Sequence, residues 1–171
     1  MGLAAGGIYT VGTEQKFGLG ERIAVVYGSN KDKSAELIYI KATAALTAGD
    51  VCELPLIAGT DAFNVDTALT KTNAATIADT QNDSFAACVP AATLASGEYG
   101  WAFVRGMIPI NTAASCVQYA RLGLTATAGR IDDADVDYQL VDTHVIATVG
   151  GAAAVSDCYV TSDLRIFRNA A

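Results

Sequence analysis

The chain has a single histidine, His144, so any acid–base or nucleophilic site that uses an imidazole must be built around it. His144 lies within the apolar run Thr143–Val149, which is typical of a β-strand. Neither the Gly-x-Ser-x-Gly elbow of serine hydrolases nor a cysteine-protease signature occurs. We therefore interpret His144 as a structural or contact-surface residue. The sequence predicts no catalytic residues, and we expect that the chain is not an enzyme.

The acidic run Asp132–Asp137 holds four aspartates in six residues, and carboxylates at such spacing can bind calcium. An EF-hand loop that starts at Asp133 requires glycine at its sixth position and glutamate at its twelfth. Those positions hold Tyr138 and His144, so the EF-hand pattern fails. We interpret the run as a solvated acidic loop, with an irregular calcium site as the alternative. The sequence accordingly predicts no metal site and no cofactor.

The four cysteines are too far apart in sequence for a zinc knuckle or a redox motif. We interpret them as small buried hydrophobic residues in a reducing compartment, and disulfide pairing is the alternative. They are Cys52, Cys88, Cys116 and Cys158.

Charge and hydropathy each argue against one class of partner. The net charge is −7, and no lysine or arginine occurs between Ile131 and Leu164, an interval that holds seven aspartates. Binding to a phosphate backbone requires clustered basic residues, so the sequence predicts no nucleic-acid partner. No apolar stretch reaches the roughly 18 to 20 residues of a membrane helix, so we expect no membrane partner.

Three aromatic residues alternate along the run 97–106. Tyr99, Trp101 and Phe103 would share one face of a strand, because successive side chains of a strand point to opposite faces. We interpret them as core or subunit-interface aromatics. The alternative is a stacking platform for a sugar, formed by Tyr99 and Trp101.

These residues lie among short apolar and β-branched runs that end in turn residues, and no run predicts a long helix. The fold class is predicted to be all-β: a β-sandwich or small barrel, jelly-roll-like. The domain spans residues 21–171 and carries a long polar loop near 59–83. The runs Ile23–Tyr27 and Glu36–Lys41, with turn-type residues between them, predict a hairpin.

Residues 1–20 are rich in glycine, which makes the segment costly to order by itself. The sequence predicts a flexible, extended N-terminal arm, and a frayed terminus is the alternative. As a hypothesis, the apolar side chains of the arm contact a partner: Leu3, Ile8, Tyr9 and Phe17.

Four stretches repeat a succession of Ala-Gly turns and short strands: Ala42–Val51, Ala95–Gly106, Leu124–Arg130 and Val149–Ala152. Through them the run from about Lys41 to Val160 resembles the small decoration, or cement, proteins of tailed-bacteriophage heads. The resemblance implies a homotrimer that binds the major capsid protein on the outer surface of an icosahedral head. It also implies that the trimer stabilises the expanded capsid by bridging neighbouring capsid subunits.

The composition agrees with this resemblance, because 51% hydrophobic and 17% charged residues suit a surface partly covered by copies of the chain or by a partner. The expected location is the outer surface of the virion head, after synthesis in the host cytoplasm. Two alternatives remain at this point: a phage head-fibre or tail structural module, and a carbohydrate-binding β-sandwich.

Overall fold

The computed structural model describes residues 5–56, 62–70, 74, 84–133 and 137–168. A short 3₁₀ turn, Ala5–Tyr9, precedes twelve β-strands in these ranges, so the predicted all-β class is confirmed. The strands are β1 (Arg22–Tyr27), β2 (Lys33–Ala42), β3 (Cys52–Glu53), β4 (Asn64–Val65), β5 (Ser84–Pro90), β6 (Tyr99–Thr112), β7 (Gly123–Leu124), β8 (Ile131–Asp132), β9 (Tyr138–Leu140), β10 (Thr143–Val145), β11 (Ala154–Val160) and β12 (Arg165–Arg168).

Strands β1 and β2 form the predicted hairpin. They pair antiparallel from Arg22 opposite Ile38 to Tyr27 opposite Lys33. The turn contains Gly28 at φ 91°, a left-handed conformation that glycine adopts without a steric penalty. The hairpin presents Val25 and Tyr27 to the core, because residues two apart share a face.

The fourteen-residue strand β6 organises the sheet. Its first half pairs with β2 and β5, and its second half pairs with β11 and β8. A register shift lies between Glu36 and Leu37 of β2, opposite β6. The pairing order β6–β8–β7–β9–β12–β5 returns to β6, so these six strands close a ring. The architecture is therefore barrel-like, in agreement with the predicted sandwich or small barrel.

Strands β2 and β6 are buried on both faces, because a hydrophobic cluster packs on each side of them. Side chains alternate along a strand, so a continuous apolar run supplies both clusters. The larger cluster receives Leu37, Tyr39, Trp101 and Phe103, and the smaller one receives Ile38, Ile40, Ala102 and Val104.

Pro109 does not break its strand, although proline within a sheet is usually confined to edges and bulges. β6 continues through it, with Pro109 opposite Asp157 of β11. The backbone N–H of Asn111 donates to Gly49 rather than to β11. Residues two apart in a strand point their N–H groups the same way, so the missing N–H of Pro109 removes no bond between β6 and β11.

The described part of the predicted polar loop near 59–83 belongs to the body of the domain. Strand β4 pairs in parallel with β2, and Ala68 forms a bridge with Cys52. Val65 and Leu69 are fully buried. Residues 62–70 therefore pack against the body of the domain and do not form a protruding loop, because their isolated apolar side chains fill core positions. The rest of the predicted loop, apart from residue 74, lies outside the described residues.

Candidate functional site

The described part of the predicted arm packs on its own domain, so that expectation is corrected for residues 7–20. Ile8 is 1% exposed, within the larger core cluster. Gly12 and Tyr99 exchange two backbone hydrogen bonds, of 2.8 and 3.3 Å. Tyr9 remains 48% exposed, and Leu3 lies outside the described residues. Of the three predicted contact residues that the structure describes, Ile8, Tyr9 and Phe17, Tyr9 alone has an exposed side chain.

The predicted aromatic stripe forms part of the core. Trp101 and Phe103 are buried, and Tyr99 packs against the core from its border. The ring of Phe17 covers this group, with its centroid 5.1 Å from that of Trp101 and 5.2 Å from that of Tyr39. The core interpretation therefore fits, and Trp101 offers no open ring face to a stacked sugar.

His144 and the thiols do not form a nucleophilic site in the part of the chain that the structure describes. His144 is exposed on β10, opposite Tyr159 of β11, and no described nucleophile is hydrogen-bonded to it. All four cysteines are buried and unpaired by disulfides, in agreement with their interpretation as small core residues. Burial raises the pKa of each thiol, which keeps it protonated and unreactive at neutral pH.

Residues 113–122 form a loop between β6 and β7 that is ordered by hydrogen bonds to two other segments. It contacts residues 145–150 and the residue that follows β8. The bonds run from Ser115 N to Gly150 O (2.9 Å), Val149 N to Cys116 O (2.9 Å), Tyr119 N to Val145 O (3.1 Å) and Val117 N to Asp133 Oδ2 (2.8 Å). The loop is consequently held in one conformation without forming regular structure.

This 113–122 loop presents two large apolar side chains to solvent. Val117 is 52% exposed and Tyr119 is 69% exposed, the highest value among the exposed large hydrophobic residues described. Ser115 and Tyr119 have φ of 65° and 62°, a region that non-glycine residues seldom adopt. Backbone strain of this kind persists only where the surroundings impose it, and it is common at binding sites. Sequence reasoning missed this loop, because nothing in residues 113–122 resembles a motif.

A thiol and two carboxylates meet at the base of the same loop. β6 and β8 pair in parallel at Thr112 and Ile131, so the residues that follow each strand emerge side by side. The Cys116 thiol and one carboxylate oxygen each of Asp132 and Asp133 all lie within 4.8 Å of one another. Burial, with the charges of Asp133 and Asp132, raises the pKa of Cys116 to about 11. The sequence prediction of a merely solvated acidic loop did not include this thiol.

A groove beside β12 is lined in part by charged side chains. Arg22 donates to Asp163 at 3.0 Å and to Glu36 at 2.9 Å, and these bonds raise the pKa of the guanidinium. The floor of the groove is apolar and includes Leu54, Val104 and Leu164. Because Arg22 is already neutralised by its two carboxylates, it offers little uncompensated charge to a ligand in this groove.

Comparisons with protein families, with curated proteins and with solved structures found no match to this chain. Among the described residues, no helix has the length and apolar character needed to span a membrane.

Proposed function

We propose that the chain is a structural protein of a tailed-bacteriophage head, which binds the outer surface of the icosahedral shell. In this proposal it contacts the major capsid protein and stabilises the expanded capsid by bridging neighbouring capsid subunits. It acts as a homotrimer and has no enzymatic activity. The resemblance of residues 41–160 to decoration proteins supplies the class of function, and the 113–122 loop supplies the candidate contact.

The observation that carries the proposal is the exposure of Val117 and Tyr119 on an ordered loop. An aromatic side chain that fills a pocket of a partner is a typical anchor of a protein interface. The backbone of the loop is already held by the bonds from Ser115, Val117 and Tyr119. Binding then costs less conformational entropy than it would for a disordered loop. The loop therefore suits attachment to a preformed surface.

Trimerisation would strengthen an individually weak contact. A trimer that engages equivalent sites on the shell converts its second and third contacts into intramolecular events. Bound copies would then dissociate slowly even where one loop alone binds weakly. This reasoning also favours a function in which each trimer touches several capsid subunits at once.

The N-terminal segment contributes to the proposal in a narrower way than the sequence predicted. Recruitment by an arm remains a hypothesis for Leu3 and Tyr9. Ile8 and Phe17 would have to leave the core before they could contact a capsid. The 113–122 loop requires no such rearrangement, so it is the preferred contact.

The test is co-sedimentation of the purified full-length chain with expanded and unexpanded heads that lack it. We expect saturable binding to expanded heads and weak binding to unexpanded ones. Absence of binding to both, or equal binding to both, would contradict the proposal. Sedimentation velocity of the free chain measures its mass, and a strict monomer would remove the trimer from the proposal.

Electron microscopy of gold-labelled chain on intact particles distinguishes the head from the alternative locations. Label on the head surface is expected. Label confined to the tail or to fibres would replace the decoration role with that of a tail or fibre module.

A further inference from the structure

We propose that a surface pocket beside β9 binds a neutral saccharide ring. The pocket has a volume of about 460 Å³, within the range of about 300 to 1,000 Å³ that small-molecule sites occupy. This proposal goes beyond the function proposed above and does not depend on it, because sugar binding is a property of the isolated chain. We call it the Arg121–Phe167 pocket, and five polar or aromatic side chains that are at least partly exposed line it: Arg121, Gln139, Asp142, His144 and Phe167.

Strand pairing positions one side of the Arg121–Phe167 pocket. Gln139 of β9 lies directly opposite Phe167 of β12. Directly paired residues project from the same face of a sheet, so the amide and the phenyl ring lie side by side. The backbone N–H of Leu140 donates to Leu122 O at 2.8 Å, which holds the end of the 113–122 loop, and with it Arg121, against β9.

The turn between β9 and β10 contributes the two other side chains. Asp142 lies in this turn with φ 50°, and two bonds fix it to the residues after β11. Thr161 N donates to Asp142 O at 3.2 Å, and Ser162 Oγ donates to Asp142 Oδ2 at 3.3 Å. His144 follows on β10, where it pairs with Tyr159. The backbone around the pocket is thus already ordered, so a ligand would meet a largely preformed site.

The hydrogen-bonding groups of the pocket are available to a ligand. Among the described residues, the side chains of Arg121, Gln139 and His144 have no hydrogen-bond or ion-pair partner. A guanidinium offers donors only, a carboxylate such as that of Asp142 offers acceptors only, and an amide or a neutral imidazole offers both. A hydroxyl group is donor and acceptor at once. Neighbouring hydroxyls of a sugar can therefore all find partners in this mixed lining.

Phe167 supplies an apolar surface beside these polar groups. Its side chain is 47% exposed, although it belongs to a strand that pairs on both sides. The face of an aromatic ring carries partial negative charge, which attracts the weakly positive C–H groups on one face of a pyranose ring. One ring face against Phe167, with hydroxyls towards Arg121, Gln139 and Asp142, uses both kinds of surface.

The charges of the pocket favour a neutral ligand. Arg121 and Asp142 have opposite charges, so the two largely cancel. A phosphate or sulfate would be attracted by Arg121 but repelled by the carboxylate of Asp142. A wholly apolar ligand would remove both charged groups from water without giving them a partner, which is costly. A ligand with several hydroxyls and one apolar face avoids both penalties.

The experiment uses His144 as a reporter. It is the only histidine of the chain, so the carbon-bound protons of its imidazole give an NMR signal that comes from this pocket alone. The full-length chain, labelled with ¹³C at histidine, is titrated at constant pH with the methyl glycosides of glucose, galactose, mannose and N-acetylglucosamine, each to millimolar concentration. We expect at least one glycoside to move the His144 signal saturably. Adenosine and inorganic phosphate, titrated in the same way, should leave the signal in place.

Two variants and two matched controls locate the bound sugar. Phe167→Ala and Arg121→Gln should each weaken glycoside binding by roughly tenfold or more. Tyr9→Ala removes a ring of similar exposure, and Arg105→Gln removes an exposed guanidinium, but neither residue lines the pocket. Both controls should bind within about twofold of the parent chain. All four side chains are exposed, so we expect each variant to fold, and circular dichroism checks this.

Three results would overturn the proposal. If none of the four glycosides moves the His144 signal, the pocket does not bind a saccharide ring. A shift caused by adenosine or phosphate alone would assign the pocket to a nucleoside or to an anion. Unchanged glycoside affinity in folded Phe167→Ala and Arg121→Gln would place the sugar outside the Arg121–Phe167 pocket.

Discussion

The ring centroids of Phe17 and Trp101 lie 5.1 Å apart, with the ring planes inclined at 55°. Such tilted aromatic pairs contribute about 0.5 to 1.5 kcal/mol beyond the burial of their surface. This contact, together with the two backbone bonds between Gly12 and Tyr99, makes the N-terminal segment part of the folded domain. A segment that the sequence presents as an arm thereby becomes a determinant of stability.

Replacement of Ile8 by alanine should destabilise the chain. Ile8 is 1% exposed in the larger core cluster, and buried Ile→Ala changes cost about 2 to 5 kcal/mol through lost burial and cavity formation. The free energy of unfolding from urea titration measures the effect. Tyr9→Ala is the control, because Tyr9 is 48% exposed and should change stability by no more than about 0.5 kcal/mol. Equal stability of Ile8→Ala and the parent chain would show that the segment is detached in solution.

Gly106 should tolerate alanine less well than Gly97 does. Both have left-handed φ values, 91° and 87°, so alanine at either position costs about 1 to 2 kcal/mol of backbone strain. A Cβ at Gly106 would also collide with the backbone of β2, 2.8 Å from Ala35 Cα, whereas one at Gly97 meets nothing within 4 Å. We expect Gly106→Ala to lower the thermal midpoint much more than Gly97→Ala. Similar midpoints would show that β2 and β6 can separate locally without cost.

Local patterns predicted the all-β class, the first hairpin and the burial of the cysteines. The run Leu37–Ile40 is apolar because β2 is buried on both faces, and the turn at Gly28 follows from its composition. These features depend on residues near one another in sequence, which is why the sequence is sufficient to find them.

The candidate site could not be predicted in the same way. Cys116 and Asp133 are 17 residues apart, and a single parallel pairing of Thr112 with Ile131 brings them together. A pairing of two short segments is too brief to produce an alternation of apolar and polar residues in either sequence. The N-terminal segment was misjudged for a related reason. Its glycines indicate a cost of ordering, but the burial of Ile8 and Phe17 that offsets this cost depends on partners far along the chain.

Stability should fall as pH rises above the ordinary thiol range. The usual thiol pKa is 9.0, and burial raises it to about 12 for Cys158. The folded state therefore keeps a proton that the unfolded state loses. The contribution of this thiol to the free energy of unfolding is complete below pH 9.0. It is lost as the pH rises towards about 12, at up to about 1.4 kcal/mol per pH unit.

Urea unfolding at a series of pH values between about 7 and 11 measures this loss. Cys158→Ala removes the thiol, so its free energy of unfolding should be lower at neutral pH but should fall less steeply above pH 9.0. A slope that the substitution leaves unchanged would show that Cys158 ionises as easily in the folded state as in the unfolded one.

Tyr119 should contribute most to head binding if the 113–122 loop is the attachment site. Tyr119→Ala removes the most exposed large hydrophobic side chain described without disturbing a buried one, so the fold should be retained. Loss of an aromatic anchor at an interface typically costs 2 kcal/mol or more, which is roughly a thirtyfold loss of affinity for each loop. Tyr159→Ala is the matched control, because Tyr159 is 47% exposed but lies on β11 opposite His144. Co-sedimentation of each variant with expanded heads measures the difference. If Tyr159→Ala weakens binding and Tyr119→Ala does not, the contact lies on the β10–β11 face instead, and the ordered loop has another role.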